Sequence, residues 1–260
     1  MQIVVAGNPT IDIIYTSGGV LRRYGGPIYY AATAISALYK NVKVVGVASR
    51  DDVGQLSAFF NSIGVDAELI EADRTTTFEL DYRVKPRRVR LVERPARKIT
   101  YVRGDVVILS PVYDELAGAA VEAKTVVADL QGYIRAGAEP PRADLVHFSI
   151  DDVALDLAQL REFAKRWPAA VYTLGEDGAY VVREGRIYYI NSARIAVEEA
   201  TGSGDVFLAL LTYFHYIQGK DLLEAVCEAS KYVAGYLLHR KAVRRDFDCV
   251  IQAVQERQFY

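Results

Sequence analysis

Six short runs rich in Val, Ile and Ala, at residues 3–6, 42–47, 106–109, 125–128, 145–148 and 170–174, are separated by longer segments with helical apolar spacing. The runs are bounded by turn residues and read as buried strands. The helical patterns fall at residues 29–39, 54–63, 153–167, 205–217 and 222–238. Strands and helices alternating along one chain predict an α/β fold: a mostly parallel sheet with helices on both faces. In such sheets ligands bind beyond the carboxyl ends of the strands.

One region departs from this pattern. Thr75-Thr76-Thr77-Phe78-Glu79-Leu80-Asp81-Tyr82-Arg83-Val84 alternates in the manner of two-sided strands, and nine Lys or Arg residues lie between Arg83 and Arg103. These charges read as solvated strands protected against edge pairing, with contact to phosphates or a partner as the alternative.

A chain of 260 residues that is 51% apolar suffices for one large α/β domain or two small ones, and no Pro/Ser-rich linker divides it. A single domain over residues 1–260 is expected. The net charge of −2 gives no reason to expect nucleic-acid or membrane partners. The first residues lack a basic n-region and a cleavage site, and no apolar run is long enough to span a bilayer, so a soluble cytoplasmic protein is expected. Cys227 and Cys249 lack metal-ligand spacing, and three scattered His give no zinc pattern. One Met and few Asn suit a thermophile. In a thermophile a Cys227–Cys249 disulfide is open even in the cytosol, but two buried free thiols are the expected state.

The chemistry concentrates in Ala200-Thr201-Gly202-Ser203-Gly204-Asp205-Val206-Phe207, where two glycines bracket a small residue before a carboxylate and a helix. The first unpaired N–H groups of that helix favour an anion such as a phosphate. Asp205, in the first turn, can cap those groups or take a proton from an alcohol attacking the phosphate. The dinucleotide fingerprint fits poorly, because Phe207 stands where a third small residue belongs. The phosphate loop of NTPases fails at Gly219-Lys220, with Phe214 in place of its leading Gly and Asp221 after the Lys.

Glu199-Ala200-Thr201-Gly202-Ser203-Gly204-Asp205 resembles the C-terminal signature of the ribokinase/PfkB carbohydrate kinases, Asp-Thr-x-Gly-Ala-Gly-Asp. Gly7-Asn8-Pro9-Thr10-Ile11-Asp12 is similar to that family's first strand and substrate-binding Asp. Gly25-Gly26-Pro27-Ile28-Tyr29-Tyr30-Ala31-Ala32 resembles its double-glycine turn. Residues 44–54 resemble its second strand and turn, and Thr173-Leu174-Gly175-Glu176-Asp177-Gly178-Ala179 its nucleotide-side strand and loop. The five segments stand in the family's order and cover most of the chain. The compact archaeal members, among which myo-inositol kinases occur, look most similar.

The resemblance implies a ribokinase-like three-layer fold with a small β-sheet lid, formed by insertions at approximately residues 13–24 and 75–103. It also implies ATP-dependent phosphoryl transfer to a hydroxyl of a small polyol or sugar, myo-inositol first, with a nucleoside kinase or a catalytically silent nucleotide- or sugar-binding relative as alternatives. Asp205 would be the general base, and the amides of Gly202, Ser203 and Gly204 the anion hole. Asn8, Asp12, Gly25, Gly26 and Tyr30 would bind the acceptor. Thr173, Gly175, Gly178 and Thr201 would bind the nucleotide. Magnesium would accompany ATP, supported through water by Asp152 of Ser149-Ile150-Asp151-Asp152, which stands where the family has Asn-x-x-Glu. Tyr30 replaces an Asn that usually contacts sugar hydroxyls, which weakens ribose as the substrate. Phe78, Leu80 and Tyr82 would either close over the substrate or form a homodimer contact through the lid. Asp129-Leu130-Gln131-Gly132-Tyr133-Ile134-Arg135 resembles a segment of archaeal members, but a strand end and turn explain it, and Gln131 and Arg135 receive no role.

Overall fold

The computed structural model describes residues 1–254. In chain order its elements are β1 (Ile3–Ala6), β2 (Thr10–Thr16), β3 (Gly19–Gly25), α1 (Pro27–Ser36), β4 (Val42–Ser49), α2 (Arg50–Ser62), β5 (Asp66–Ala72), β6 (Thr76–Asp81) and β7 (Arg88–Glu93). They continue with β8 (Tyr101–Leu109), β9 (Ala120–Asp129), α3 (Gln131–Ala136), β10 (Leu145–Ser149), α4 (Leu157–Ala164), β11 (Ala169–Thr173), β12 (Ala179–Arg183), β13 (Arg186–Ile190), α5 (Ser203–Thr212), α6 (Leu222–His239) and β14 (Ile251–Ala253).

Ten strands form one sheet in the order β14-β13-β12-β11-β10-β9-β8-β1-β4-β5. From β11 to β5 all neighbours are parallel, and the β12, β13 and β14 edge is antiparallel. Successive residues of a strand face opposite sides. Ile3 and Val5 pack with α1, α2, α5 and α6, while Val4 and Ala6 pack with α3 and α4. Burial on both sides is why these strands read as unbroken apolar runs.

A second sheet has the order β3-β2-β6-β7, with β2 and β6 parallel. Its inner face carries Ile14, Phe78 and Leu80 against Val112. Of the two placements open for Phe78, Leu80 and Tyr82, the structure has Phe78 and Leu80 buried inward. Tyr101 to Arg103 pair with β9 in the large sheet, so the Arg-rich stretch is shared between the two sheets.

Sequence periodicity overran α4, which starts at Leu157 because Asp156 caps it through a reciprocal bond with Gln159. It did not find β5, the β12–β13 hairpin, β14 or α3. The expectation of free thiols is corrected: Cys227 and Cys249 are joined in a disulfide that ties α6 to the segment leading into β14. No helix among the described residues is long and apolar enough to cross a membrane.

Candidate active site

The carboxyl ends of the parallel strands converge on a cavity of about 380 Å³, bounded above by β6 and the β6–β7 turn. Asp129 ends β9, Ser149 ends β10 and Thr173 ends β11, and all three line it. The 199–205 loop closes it from the side, passing into α5 at Gly202, whose left-handed φ of 82° only glycine adopts without strain. Two ties hold this loop in shape. Glu199 pairs with Arg23 at 2.9 Å and with Arg240, and the Thr201 carbonyl accepts from Tyr236 Oη at 2.7 Å.

Asp205 projects from the first turn of α5 into the cavity. Its Oδ1 is shielded from solvent and has no hydrogen-bond partner among the described residues. Burial, then repulsion from Asp129 and Asp12, pushes its carboxyl well above the usual carboxylate range, against the opposing pull of Arg87 and Arg135. The Ser203 amide donates to Ala200 O at 3.1 Å, so it is committed within the loop. The amides of Gly202, Gly204 and Asp205 have no protein acceptor among the described residues.

Asp12 is buried in β2, with Thr10 Oγ1 donating to Oδ1 at 2.6 Å and Tyr30 Oη to Oδ2 at 3.3 Å. Burial raises its pKa, and those hydrogen bonds together with Arg23 oppose the rise. A Cβ on Gly25 would stand 2.0 Å from Asp12 Oδ2, so only glycine leaves the carboxylate room. Gly26 lines the cavity whereas Gly25 does not. Asn8 also lies outside it. Its Oδ1 accepts from Val47 N at 3.0 Å and its Nδ2 donates to Thr76 Oγ1 at 3.2 Å, spending the amide on joining β4 to β6.

A second cavity of about 320 Å³ adjoins the first across Thr173, Gly175, Ala200, Ser203, Gly204 and Lys85. Its far wall is apolar: Ala179, Ile195, Val197, Phe207, Val233 and Leu237. Gly178 lines it at a φ of 99°, where a Cβ would stand 2.2 Å from Ile190 O. Thr201 lines the first cavity and not the second, its hydroxyl 2.8 Å from Tyr82 Oη. Asp152 Oδ2 accepts from Ser149 N at 2.9 Å and Ser149 Oγ at 2.7 Å, and burial and then Asp129 raise its pKa.

Several residues here were not found from sequence. Asp129 and His147, both buried, meet at 2.8 Å between Oδ2 and Nδ1, and His147 Nε2 lies 3.2 Å from Thr173 Oγ1. The His147 ring thus bridges the Asp129 carboxylate and the Thr173 hydroxyl across the ends of β9, β10 and β11. Arg87 donates to Tyr82 Oη at 2.7 Å and lies 3.6 Å from Asp151, and Arg135 donates to Val112 O. Both arginines line the first cavity. The sequence signal was the Asp129-to-Arg135 segment, which a strand end and turn also explain and in which Arg135 received no role.

Residues 139–244 match the model of the pfkB family carbohydrate kinases. A 2-dehydro-3-deoxygluconokinase of Thermoproteus tenax is 38% identical over 69 residues, 25% of this chain and 21% of that protein. The match thus spans about a fifth of the curated relative's length. A pyrophosphate-dependent kinase in the ribokinase family, complexed with a pyrophosphate analog and myo-inositol, superimposes with a TM-score of 0.76 at 20% identity, covering 92% of this chain and 96% of that one. A fructokinase from Vibrio cholerae, with fructose, ADP and potassium ion bound, gives 0.72 at 18% identity over 93% and 94%. The chain therefore has the ribokinase-like fold, and through residues 139–244 it resembles the pfkB carbohydrate kinases.

Proposed function

We propose that this protein transfers the terminal phosphoryl group of ATP to a hydroxyl of a small polyol or sugar, with myo-inositol as the first acceptor. The observation that carries the reading is the Asp205 carboxylate: Oδ1 is dry and without a partner, in a cavity that Asp12 bounds and a second, apolar-walled cavity adjoins. The pfkB match, the fructokinase with ADP and the kinase with myo-inositol support it.

In this reading the acceptor hydrogen-bonds to Asp12, whose carboxylate Thr10 and Tyr30 hold in place, and rests on the backbone at Gly26. Gly25 leaves room for that carboxylate, and Asn8 builds the floor. Asp205 removes the proton of the attacking hydroxyl, which general-base catalysis makes worth about 10²–10⁴ in rate. The amides of Gly202, Gly204 and Asp205 stabilise the charge on the transferred group, and Ser203 contributes its hydroxyl. Thr173, Gly175 and Gly178 flank the donor, whose base fills the apolar cavity, and Thr201 holds the 199–205 loop in shape through Tyr82 and Tyr236.

Among the described residues no group of three or more His, Cys, Asp or Glu side chains is arranged to hold a metal ion. A magnesium ion would be held chiefly by donor phosphates and waters, with Asp152 placed to orient one water. The ion would neutralise charge on the phosphate oxygens.

A second acceptor is favoured by Arg87 and Arg135 in the first cavity and by the 2-dehydro-3-deoxygluconokinase relative: a sugar acid, whose carboxylate guanidinium groups recognise. The test is ADP release from ATP and Mg²⁺ with wild type and Asp205→Asn. The acceptor panel is myo-inositol, 2-dehydro-3-deoxygluconate, ribose, fructose, fructose phosphate, adenosine, guanosine and cytidine, and pyrophosphate is the comparison donor. Turnover with one acceptor, lost in the variant, supports the reading and names the substrate. Turnover that survives in the variant removes Asp205 as the base, and nucleotide binding without any turnover favours a silent relative.

A further inference from the structure

Among the described residues the donor cavity has a single Lys or Arg on its wall, and that cation comes from the sheet covering the acceptor. Lys85, in the turn between β6 and β7, lines both cavities. It is exposed and makes no ion pair or hydrogen bond among the described residues. The turn that carries it is fixed on both flanks. Tyr82 Oη bonds Thr201 Oγ1 of the anion loop at 2.8 Å, and Arg87 bonds Tyr82 and lies 3.6 Å from Asp151. Arg83, in the same turn, is spent on Asp81 at 2.8 Å and lines neither cavity.

The remaining donor-cavity wall is neutral apart from Glu176. Backbone amides at the start of α5 can hold one phosphoryl group, but a polyphosphate chain carries several charges, and an unpaired ammonium facing it gives a charge-assisted hydrogen bond. We infer that Lys85 is a ligand of the donor's phosphate chain and that, through it, donor and acceptor binding reinforce each other. The second part follows from connectivity: Phe78 and Leu80 of β6 line the acceptor cavity, and the turn bearing Lys85 begins where β6 ends. An acceptor packed against Phe78 and Leu80 bears on the strand from which the Lys85 turn leaves, so it biases where Lys85 stands, and the coupling must be reciprocal.

This inference rests on the kinase reading, but binding tests it without turnover. A non-hydrolysable ATP analogue with Mg²⁺ is titrated calorimetrically into wild type, Lys85→Met, Lys85→Arg and Arg83→Met, each with and without myo-inositol. Lys85→Met should weaken the analogue by about 10- to 100-fold and abolish its enhancement by myo-inositol. Lys85→Arg should keep most of the affinity, and Arg83→Met should match wild type. Unchanged analogue affinity in Lys85→Met, an equal loss in Arg83→Met, or no analogue binding by wild type overturns the phosphate role. Absence of enhancement in wild type overturns the coupling. Lys85-dependent binding in a protein without turnover supports this inference and fails the kinase reading, so the two are separable.

Discussion

The ring of Tyr30 occupies the space a side chain on Gly202 would need: a Cβ there would stand 2.4 Å from Tyr30 Cγ and 2.6 Å from Cδ1 and Cδ2. The hydroxyl of the same ring reaches Asp12 Oδ2 at 3.3 Å. One buried aromatic residue from α1 thus touches both the 199–205 loop and the Asp12 carboxylate, and sets their spacing.

Gly202→Ala meets this ring and also a φ of 82° that an L side chain adopts at a cost of about 1–2 kcal/mol. The melting temperature should fall, and turnover should drop by about 10²-fold as the loop shifts from its position. Adding Tyr30→Ala removes the clash but not the strain, so the double variant should be less destabilised than the sum of the two singles. Additive losses in melting temperature would show that ring and glycine do not interact.

Asp205→Asn should separate stability from activity. The folded carboxyl titrates well above its ordinary 3.8, so the native state holds that proton more tightly than the unfolded chain. Ionising it therefore costs stability as pH rises from about 3.8 to the folded value, and the cost stays constant above that. The Asn variant escapes it and should melt higher than wild type at neutral pH, with the gap closing toward pH 4. Turnover moves the opposite way: a loss of about 10²–10⁴, with the acid limb of the kcat/KM profile removed. In wild type that limb should lie above the usual carboxylate range. A limb at ordinary aspartate values would contradict the burial of Asp205 and its repulsion from Asp129 and Asp12.

The large sheet was legible because β1, β4, β10, β11 and the carboxyl-terminal parts of β8 and β9 are buried on both faces, which leaves runs such as Ile3-Val4-Val5-Ala6 with no polar interruption. β5 is an edge strand interrupted by Asp66, Glu68 and Glu71, and β12 and β13 are five-residue strands of an antiparallel hairpin next to the other edge, outside the strand–helix alternation that revealed the rest. The glycine-flanked loop at 202–204 was visible because a backbone that must enter the left-handed region leaves its mark in composition. Arg87 and His147 left none, and Asp129 and Arg135 left only a strand end and turn that gave them no role. They come from the turn before β7, from β9, α3 and β10, and only strand order brings them within reach of Asp205. Asn8 shows the converse, since a polar residue after a strand is compatible with a ligand contact, yet its amide is consumed by Val47 and Thr76.

Cys227 and Cys249 close a loop with a sequence separation of 22 residues, which constrains the unfolded chain by about 3 kcal/mol in the loop-entropy model. Reduction, or Cys249→Ser, should lower the melting temperature by roughly 6–12 °C for a chain of this size. Thermal melts with and without reductant measure it. An unchanged melting temperature, together with two titratable thiols in the purified protein, would restore the free-thiol state expected from sequence.

The apolar wall of the second cavity decides between a nucleotide and a base-free donor. Val197 lines it while remaining 37% exposed, so a larger side chain there fills the cavity without entering the core. With ATP as donor, Val197→Trp should raise the donor KM by at least about tenfold, because the indole takes space the base requires. With pyrophosphate it should change little, since that donor needs only the polar end shared by Thr173, Ser203 and Gly204. Steady-state kinetics with both donors provide the comparison. If the substitution leaves ATP kinetics intact, the apolar cavity does not hold the base, and the donor is bound through the polar end alone.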